Sequence, residues 1–239
     1  MKKVVFISLL CIITSNFLYA QKGYGGGLNF AYNITMILNQ NTYGDAELDY
    51  VNTFHPAIGL QGFYNMSDNF GVWLEINKVT MGQKYEDIPK ALNREIKMNY
   101  LAIPIMAKYT SAGDMARFHF MIGPELAFLT KATQVYQKNA STYPGDKINL
   151  DGIHFDRAAE NIKDRYIKMD FMLAFDIGAD ISITDYLIIN AGIRGNYGFR
   201  DINAEAYRLK NKDGAGTYSA SHNAYGGLQV GVSYFFGMK

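Results

Sequence analysis

The residues from Met169 to Arg200 constrain the fold of this chain more than any other stretch. Apolar side chains occupy alternate positions for about fifteen residues, and small or acidic side chains lie between them. The alternation resumes after Thr184 and Asp185. Side chains that alternate with a period of two lie on opposite faces of an extended strand. The stretch therefore predicts a long antiparallel hairpin with one apolar face, one polar face and a turn at Thr184-Asp185.

The same alternation recurs along the chain and predicts eight strands in all. By residue number they cover about 24–36, 55–66, 70–83, 97–110, 117–130, the two arms of the hairpin within 169–200, and 222–236. The alternation loses its phase near Lys78, which predicts a β-bulge there. Pro104 and Pro124 fall within strands and cannot donate to a ladder, so local bulges are expected at both.

The connections between these strands alternate between short and long. Those after the second, fourth and sixth strands are short, whereas the others cover about 37–54, 84–96, 131–168 and 201–221 and are polar. This asymmetry is typical of outer-membrane barrels. We therefore expect an all-β fold, an eight-stranded antiparallel up-and-down transmembrane β-barrel with short periplasmic turns and long extracellular loops.

The period of two does not by itself show which face points outward, because a soluble barrel has the same alternation with its apolar face inside. The polar face here is small and sparsely charged, unlike a solvated exterior. Aromatic residues of the apolar face also gather near the short turns, as a membrane-interface girdle requires. The predicted periplasmic-side girdle consists of Tyr24, Tyr64, Phe70, Tyr109, Phe118, Tyr234 and Phe236.

The amino-terminal residues predict export. Lys2 and Lys3 precede an apolar run that ends before Ala20, which is the pattern of a cleaved signal peptide. We therefore expect a signal peptide at 1–20 and a single barrel domain at 21–239. Removing 1–20 takes away two lysines and changes the formal charge from +1 to −1, so no nucleic-acid partner is expected. Cys11 is the only cysteine, which excludes an intramolecular disulfide.

Charged residues on the polar face are candidates for an interior cluster. They are Glu75, Lys108, Arg117, Glu125, Asp170, Asp176, Asp180 and Arg194. An eight-stranded barrel has room inside only for side chains, and buried charges must be paired, so we interpret the cluster as structural. The alternative is a path for protons or ions.

No catalytic, cofactor or metal site is expected. The four histidines, His55, His119, His154 and His222, show no ligand spacing, and only His119 is predicted to point inward near the turns. Ser141, His154 and Asp156 could form a triad on the outer loops, but their sequence context does not support one.

The longest connection, 131–168, has a second pattern near its end. Ile153, Ala158, Ile162 and Ile167 recur at nearly helical spacing. This predicts a short amphipathic helix within 152–168 that caps the barrel mouth. The alternative is a recognition surface for an extracellular ligand or partner.

The sequence also resembles the PorT-like outer-membrane β-barrel family. The resemblance rests on Leu101-x-Ile103-Pro104 with Lys108-Tyr109, and on shorter matches at Gly27-Leu28-Asn29, Glu75, Gly123-Pro124, Asp176-x-Gly178 and Gly231-x-Ser233-Tyr234-Phe235-Phe236. It implies a barrel similar to the OmpA and OmpX types and a link to a Gram-negative secretion system. Family members commonly carry an acid where this chain has Ala102, so an ion pair built on that acid must be arranged differently here.

The sequence thus predicts a non-enzymatic outer-membrane barrel with a filled interior that acts through its extracellular loops. Adhesion, envelope integrity and membership of an envelope or secretion assembly remain open, and the alternatives are a narrow small-solute channel or an outer-membrane enzyme. The expected partners are outer-membrane lipid, the barrel-assembly machinery during biogenesis, and an envelope or secretion-system protein. We expect a monomer.

Overall fold

A computed structural model describes most of the chain. The described residues are 23–39, 48–87, 92–113, 115–138, 148–150, 153–155, 157–208 and 218–236. The predicted signal peptide, 1–20, lies outside them. No helix among these residues has the length and apolar character needed to cross a membrane.

The described residues form strands and two short 3₁₀ turns. The strands are β1 Gly23–Leu38, β2 Leu48–Val51, β3 Thr53–Asn65, β4 Phe70–Asp87, β5 Leu92–Thr110, β6 Ala116–Lys138, β7 Ile148–Leu150, β8 Ile153–Phe155, β9 Arg157–Asn161, β10 Met169–Ser182, β11 Leu187–Gly198 and β12 His222–Phe235. The 3₁₀ turns cover Lys163–Arg165 and Glu205–Tyr207.

Eight long strands close into a barrel. Strands β1, β3, β4, β5 and β6 pair in that order, β10, β11 and β12 follow in sequence, and every pairing is antiparallel. The pairings of β12 with β1 and of β6 with β10 close the sheet on itself. The predicted eight-stranded, antiparallel, up-and-down architecture is confirmed.

The two ends of the barrel differ, and we call them the turn end and the loop end. The turn end carries the short connections 66–69, 111–115 and 183–186. In the last of these, the backbone N–H groups of Tyr186 and Leu187 donate to the Thr184 hydroxyl, and Ile183 N–H donates to the Leu187 carbonyl. This confirms the predicted turn at Thr184-Asp185. The loop end carries the other connections.

Three strands rise higher at the loop end than their neighbours. β4, β5 and β6 contain 18, 19 and 23 residues, whereas β11 contains 12. The predicted loop at 84–96 is wrong because β4 and β5 continue as a hairpin that leaves only 88–91 between them. The predicted loop at 131–168 likewise begins too early, since β6 continues to Lys138. We call the parts of β4, β5 and β6 beyond Lys78, Leu101 and Phe128 the tall wall.

The predicted bulge near Lys78 is also wrong. The pairing of β4 with β3 and β5 keeps one register through this point. The register shift lies instead between β5 and β6, where Asn99 pairs with Lys131 and Tyr100 pairs with Leu129, so Thr130 is the extra residue. The apparent loss of phase at Lys78 has a different cause: the strand continues, but the polarity of its two faces reverses.

Bulges at the strand prolines are absent as well. Pro104 pairs with Glu125, Pro124 pairs with Leu173, and the register is unchanged on both sides of each pair. A missing N–H removes a ladder hydrogen bond but does not require an inserted residue. The remaining long ladders hold the prolines in place.

The predicted helix within 152–168 is not formed by the described residues. β8 and β9 lie in the first part of that segment, and one 3₁₀ turn follows. β9 adds to the free edge of β6, from Thr133 opposite Asn161 to Gln137 opposite Arg157. Ladder hydrogen bonds along an exposed strand edge outweigh a weak helical pattern, since that edge would otherwise stay unpaired.

Candidate functional site

The barrel interior holds a charged network centred on Arg194, which is buried. Its Nη1 and Nη2 atoms donate to the two carboxylate oxygens of Glu75 at 2.6 and 2.9 Å, and its Nε donates to Asp176 at 3.1 Å. Asp176 and Arg194 pair directly on the neighbouring strands β10 and β11, whereas Glu75 lies on β4, across the barrel lumen. A bidentate guanidinium–carboxylate pair is a strong and directional contact, so Arg194 ties opposite walls together.

Glu75 receives three further hydrogen bonds. Trp73 Nε1 donates to it at 2.9 Å, Asn77 Nδ2 at 2.7 Å and Gln229 Nε2 at 3.3 Å. The carboxylate is fully buried. A buried charge is tolerated only when it is paired and hydrogen-bonded, and Glu75 meets both conditions.

His119 links the Arg194 side of the network to Lys108. Its Nε2 lies 2.9 Å from Asp176 Oδ1, and its Nδ1 lies 2.9 Å from Asp180 Oδ1. Lys108 Nζ lies 2.6 Å from Asp180 Oδ2 and 4.1 Å from the ring centre of Trp73. Carboxylates only accept, so an imidazole that donates from both nitrogens satisfies both acids. The network then contains equal numbers of opposite charges: three carboxylates and three cations. They are Glu75, Asp176 and Asp180, with Lys108, His119 and Arg194.

Two glycines make room for this network. Gly178 on β10 pairs directly with Gly192 on β11. A Cβ at Gly178 would lie 2.8 Å from His119 Nε2, and one at Gly192 would lie 2.7 Å from Asp176 Oδ1. Inward-facing glycine therefore allows the imidazole and carboxylate to lie against the backbone.

The structure divides the predicted interior cluster into separate groups. Five members, Glu75, Lys108, Asp176, Asp180 and Arg194, share one network, and His119 joins them although the sequence interpretation left it out. The signal for His119 was its inward position on a strand of period two. Arg117 lies opposite Asp180 in the pairing of β6 with β10, at the edge of this network, whereas Glu125 and Asp170 lie apart.

Glu125 and Asp170 use neutral partners. Glu125 accepts from Tyr225 Oη at 2.9 Å and from Asn196 Nδ2 at 2.7 Å. Asp170 accepts from Asn223 Nδ2 at 3.0 Å. Arg117 donates to backbone carbonyls of the short turns, Ser111 and Asp68. The charged side chains thus find their partners at separate positions along the barrel axis. They do not form one continuous polar path.

Toward the loop end the interior becomes an apolar core. Its buried residues are Ile37, Ala57, Val79, Met81, Tyr85, Ile96, Met98, Tyr100, Ala102, Ala127, Leu129, Ala132, Ile162, Tyr166, Met172, Ile202 and Tyr225. Ile162, Tyr166 and Ile202 come from connections outside the eight barrel strands. They cover the core from above, so the barrel is filled by side chains from the charged network to the cap.

Backbone hydrogen bonds hold this cap in place. Ile162 N–H donates to the Ala132 carbonyl at 3.1 Å, and Ile167 N–H donates to the Ile202 carbonyl at 2.8 Å. Ala204 N–H donates to the Arg165 carbonyl at 2.8 Å. The two long connections therefore brace each other over the barrel mouth.

Asp201 organises the connection between β11 and β12. Its carboxylate accepts from Tyr218 Oη at 2.6 Å and from the backbone N–H groups of Asn203 and Ser221 at 3.1 Å, and it lies 2.9 Å from Arg208 Nε. Partial burial opposes its charge, but the hydrogen bonds from Tyr218, Asn203 and Ser221 and the charge of Arg208 outweigh that effect and lower the pKa of Asp201.

The residues of the predicted aromatic girdle lie on the outward face near the turn end. Tyr24 contacts Phe236 with ring centres 5.8 Å apart, and Phe70 contacts Tyr109 at 5.3 Å. Tyr64, Phe118 and Tyr234 are also exposed.

A second group of outward aromatics, which sequence reasoning did not single out, lies toward the loop end. Tyr32 stacks on Phe54 at 5.7 Å, and Tyr197 packs edge-on against Phe199 at 5.5 Å. Phe54 and Tyr64 are ten residues apart on β3, which corresponds to about 25 Å along the axis of a tilted barrel, the usual height of a lipid-facing band.

The histidines were compared with the geometry of a metal site. Among the described residues, no group of three His, Cys, Asp or Glu side chains has the geometry to hold a metal ion. His55 is buried near the loop-end start of β3, 3.2 Å from the Thr35 hydroxyl, within the second strand that the sequence predicts. Ser141, Asp156 and the side chain of His154 lie outside the described part of the structure.

The model of the outer membrane protein beta-barrel domain family matches residues 18–204 of this chain. The chain belongs to this family. It is therefore an outer-membrane protein, and the predicted localisation is confirmed. No curated protein matches the sequence significantly.

Several solved structures are similar to this outer-membrane barrel. OprG of Pseudomonas aeruginosa is 11% identical, with 91% of this chain and 97% of that chain covered and a TM-score of 0.48. Outer membrane protein W of E. coli is 15% identical, with 92% and 100% covered and a TM-score of 0.47. Neisserial surface protein A is 12% identical, with 92% and 100% covered and a TM-score of 0.46.

Proposed function

We propose that this protein is a non-enzymatic, monomeric outer-membrane barrel with a closed interior that acts through the surface at its loop end. The observation that carries the proposal is the continuous filling of the lumen, first by the network around Arg194 and then by the apolar core under Ile162, Tyr166 and Ile202. Function through a sealed barrel must use the exposed ends of the molecule. The roles that fit are adhesion, maintenance of envelope integrity, or membership of an envelope or secretion assembly.

The proposed orientation places the turn end in the periplasm and the loop end outside the cell. Outer-membrane barrels have short periplasmic turns and longer outer loops, and the 20 residues predicted to form the signal peptide lead into β1 at the turn end. In this orientation the mature chain, 21–239, is one barrel domain whose assembly requires outer-membrane lipid and the barrel-assembly machinery. The resemblance to the PorT-like family supports a secretion-system protein as one class of partner.

The interior geometry argues against a small-solute channel. A cavity of about 20 Å³ lies at the turn end beside Lys108 and Asp180, which is close to the space that one water molecule needs. Beyond it, the paired side chains of the network and the buried methionines of the core obstruct the axis. A hydrated ion would have to displace both layers.

Planar-bilayer conductance tests the closed interior. The mature protein, refolded and checked for heat-modifiable migration on gels, is expected to insert without steady ion conductance, while a general porin in the same bilayers conducts. The matched variant Ile162→Ala removes one residue of the cap and should also stay closed, because the network around Arg194 remains. Steady conductance by the unmodified, folded protein would refute the closed barrel and favour the channel.

A second experiment tests action through the loop end. The protein is crosslinked in native membranes with and without replacement of 139–147, which follows β6 in the sequence, by a short glycine-serine linker. A partner that is captured only with the natural segment supports the proposal, and a partner captured equally by both forms through the turn end contradicts it.

A further inference from the structure

Three lysines lie on the outward face of the tall wall, where the lipid-facing residues end. Lys78 on β4 pairs with Leu101 on β5, which pairs with Phe128 on β6, and both of these apolar side chains are exposed to the surroundings of the barrel. Lys97 on β5 and Lys131 on β6 lie a few residues farther toward the loop end. We call Lys78, Lys97 and Lys131 the lysine patch.

The pairing register brings the members of the lysine patch onto one surface. Thr80 on β4, Asn99 on β5 and Lys131 on β6 pair in one row. Lys78 lies two residues below this row and Lys97 lies two residues above it, toward the loop end. Residues two apart on a strand share a face, and diagonal neighbours on adjacent strands are within reach of long side chains. The three ammonium groups therefore surround one area of the outer surface.

The bulge in β6 gives Lys131 its outward direction. Thr130 is the extra residue at the register shift, and its hydroxyl donates to the Asn99 carbonyl at 2.8 Å. Phe128 faces outward before the bulge, and Ala132 is fully buried after it. In a strand without a bulge, Lys131 would face the apolar core, because it is three residues from Phe128.

The surface around the lysine patch carries an excess of positive charge. Lys78 and Lys131 make no ion pair with any residue that the structure describes. Lys97 Nζ lies 3.0 Å from the Glu95 carboxylate, which also lies 3.7 Å from Lys84 Nζ. In the rows from Lys78 to Lys84, four outward lysines thus face one outward carboxylate. A ligand with more than one negative charge complements this surface.

A neutral donor lies between the lysines. The Thr80 hydroxyl donates to Asn99 Oδ1 at 3.0 Å, and the amide nitrogen of Asn99 has no acceptor among the described residues. Phosphate oxygens accept from ammonium groups and from amide N–H groups. The centre of the lysine patch can therefore add a hydrogen bond to the attraction of the three charges.

The outward faces of the other barrel strands provide a contrast. On β1, β3, β10, β11 and β12 the described outward residues include no lysine or arginine. The turn end has the acids Asp68 and Asp185 in its short connections, and Arg117 lies on the inward face and donates to turn carbonyls. Outward positive charge on the barrel strands therefore lies at the loop-end edge of the lipid-facing band.

We propose that the lysine patch binds the phosphate groups of anionic lipid headgroups in the outer leaflet of the outer membrane. Headgroups lie directly above the hydrocarbon of a bilayer, which is where the patch adjoins Leu101 and Phe128. A lysine stem packs along apolar surface while its ammonium group reaches the headgroups, as the position of Lys78 requires. A soluble anion or a protein would have to displace lipid to contact Lys78, so lipid is the occupant that fits. The inference rests on the proposed orientation, in which the loop end meets the outer leaflet.

Native mass spectrometry of the full mature protein in neutral detergent tests the lysine patch with three probes. They are lipid A with two phosphates, the same lipid with its phosphates removed, and inorganic phosphate. Saturable binding of the diphosphorylated lipid is expected, about tenfold or more tighter than that of the dephosphorylated lipid. Equal binding of the two lipids, no saturable binding of the diphosphorylated lipid, or equally tight binding of inorganic phosphate overturns the proposal.

Variants assign the binding to the lysine patch. Lys78→Gln and Lys131→Gln each remove one charge and should weaken binding of the diphosphorylated lipid about fivefold. Combining both with Lys97→Gln should remove the preference for the phosphorylated lipid. Lys78→Arg and Lys131→Arg keep the charge and should retain the affinity. Unaltered affinity in the triple glutamine variant would place the lipid elsewhere on the barrel.

A charge-matched control separates the lysine patch from the net charge of the protein. Lys163→Gln, Lys168→Gln and Arg200→Gln together remove three positive charges from the connections at the loop end and should leave the affinity unchanged. Equal weakening by both triple variants would contradict a localised site. Heat-modifiable migration verifies that each variant is folded. Since neither conductance nor binding in detergent depends on orientation in the membrane, failure here leaves the closed barrel and its proposed orientation intact.

Discussion

The turn-end half and the loop-end half of the barrel interior differ in which residues face inward and which face outward. Near the turn end, the outward residues of β4 are Val72, Leu74 and Ile76, and the inward ones include Glu75 and Asn77. In the tall wall most outward residues are polar, and most inward ones are apolar, with Gln83 and Gln134 as buried polar exceptions. One set of strands therefore reverses its polarity partway along its length.

The reversal follows the solvent outside. Around the turn-end half, lipid favours an apolar outer surface. The polar side chains of that half therefore face the lumen, where they must pair with one another. Above the lipid, water surrounds the wall, and an apolar inner face is buried by the ordinary hydrophobic effect. On the outer face, Thr80 Oγ1 donates to Asn99 Oδ1 at 3.0 Å, just above the last lipid-facing residues. The turn-end half is thus held by ion pairs beside a small aromatic cluster of Phe63, Trp73 and Phe235, and the loop-end half by a conventional core.

The largest expected effect breaks the ion pairs of the turn-end half. Arg194→Met leaves Glu75 and Asp176 without their shared cation and should lower the free energy of unfolding by about 3 to 5 kcal/mol. Urea unfolding in lipid vesicles measures this. Arg200→Met serves as the control and should cost under about 1 kcal/mol, because Arg200 is exposed and donates to the Met169 carbonyl. A similar, small cost for both would contradict a network that depends on pairing.

The second-largest expected effect compares the lipid-facing surface of the barrel with the outer face of the tall wall. Phe175→Lys places a charge on the lipid-facing surface and should cost about 2 to 4 kcal/mol if it lies near the bilayer midplane. Thr80→Lys adds the same charge to the outer face of the tall wall and should change stability by no more than about 0.5 kcal/mol. The same unfolding experiment reports both. Equal costs would mean that lipid covers the whole wall.

A smaller expected effect compares apolar contacts inside the buried core with apolar contacts between the barrel and lipid. Ile202→Val removes one methylene from the buried core and should cost about 1 kcal/mol. Ile193→Val makes the same change on an outward side chain that is 63% exposed to the surroundings of the barrel, where lipid fills the space, so its cost should be close to zero. If Ile193→Val proves the more costly of the two, the cap over the loop end does not act as a core.

The smallest effect concerns pH at the loop end. The pKa of Asp201 lies below its usual value, so its stabilising contribution is present at neutral pH and is lost as the pH falls through that lowered pKa. Amide hydrogen exchange of 201–208 and 218–221 should therefore speed up in strong acid. Asp201→Asn removes the titrating group and should abolish this acid-dependent step. A step that persists in this variant would have to come from another group.

The sequence determined the strands of the turn-end half well because lipid outside and polar groups inside give a strict period of two. It was misleading in the tall wall, where the reversal at Lys78 looks like a bulge and the outward polar residues of 84–87 and 92–96 look like parts of a loop. Face assignments for Glu75, Asp176 and Arg194 were available from the alternation. Which of them touch was not, because Arg194 lies 119 residues from Glu75 along the chain, and their contact depends on barrel closure.

Cysteine accessibility directly tests whether the polarity of the inner and outer faces reverses along β4, β5 and β6. The mature chain has no cysteine, since Cys11 falls within the predicted signal peptide. Single cysteines are introduced by Leu74→Cys, Thr80→Cys and Met98→Cys, and intact membranes are treated with a water-soluble maleimide. Labelling is expected at position 80 alone, because lipid shields position 74 and the core shields position 98. Labelling at positions 74 and 98 with protection at position 80 would contradict it.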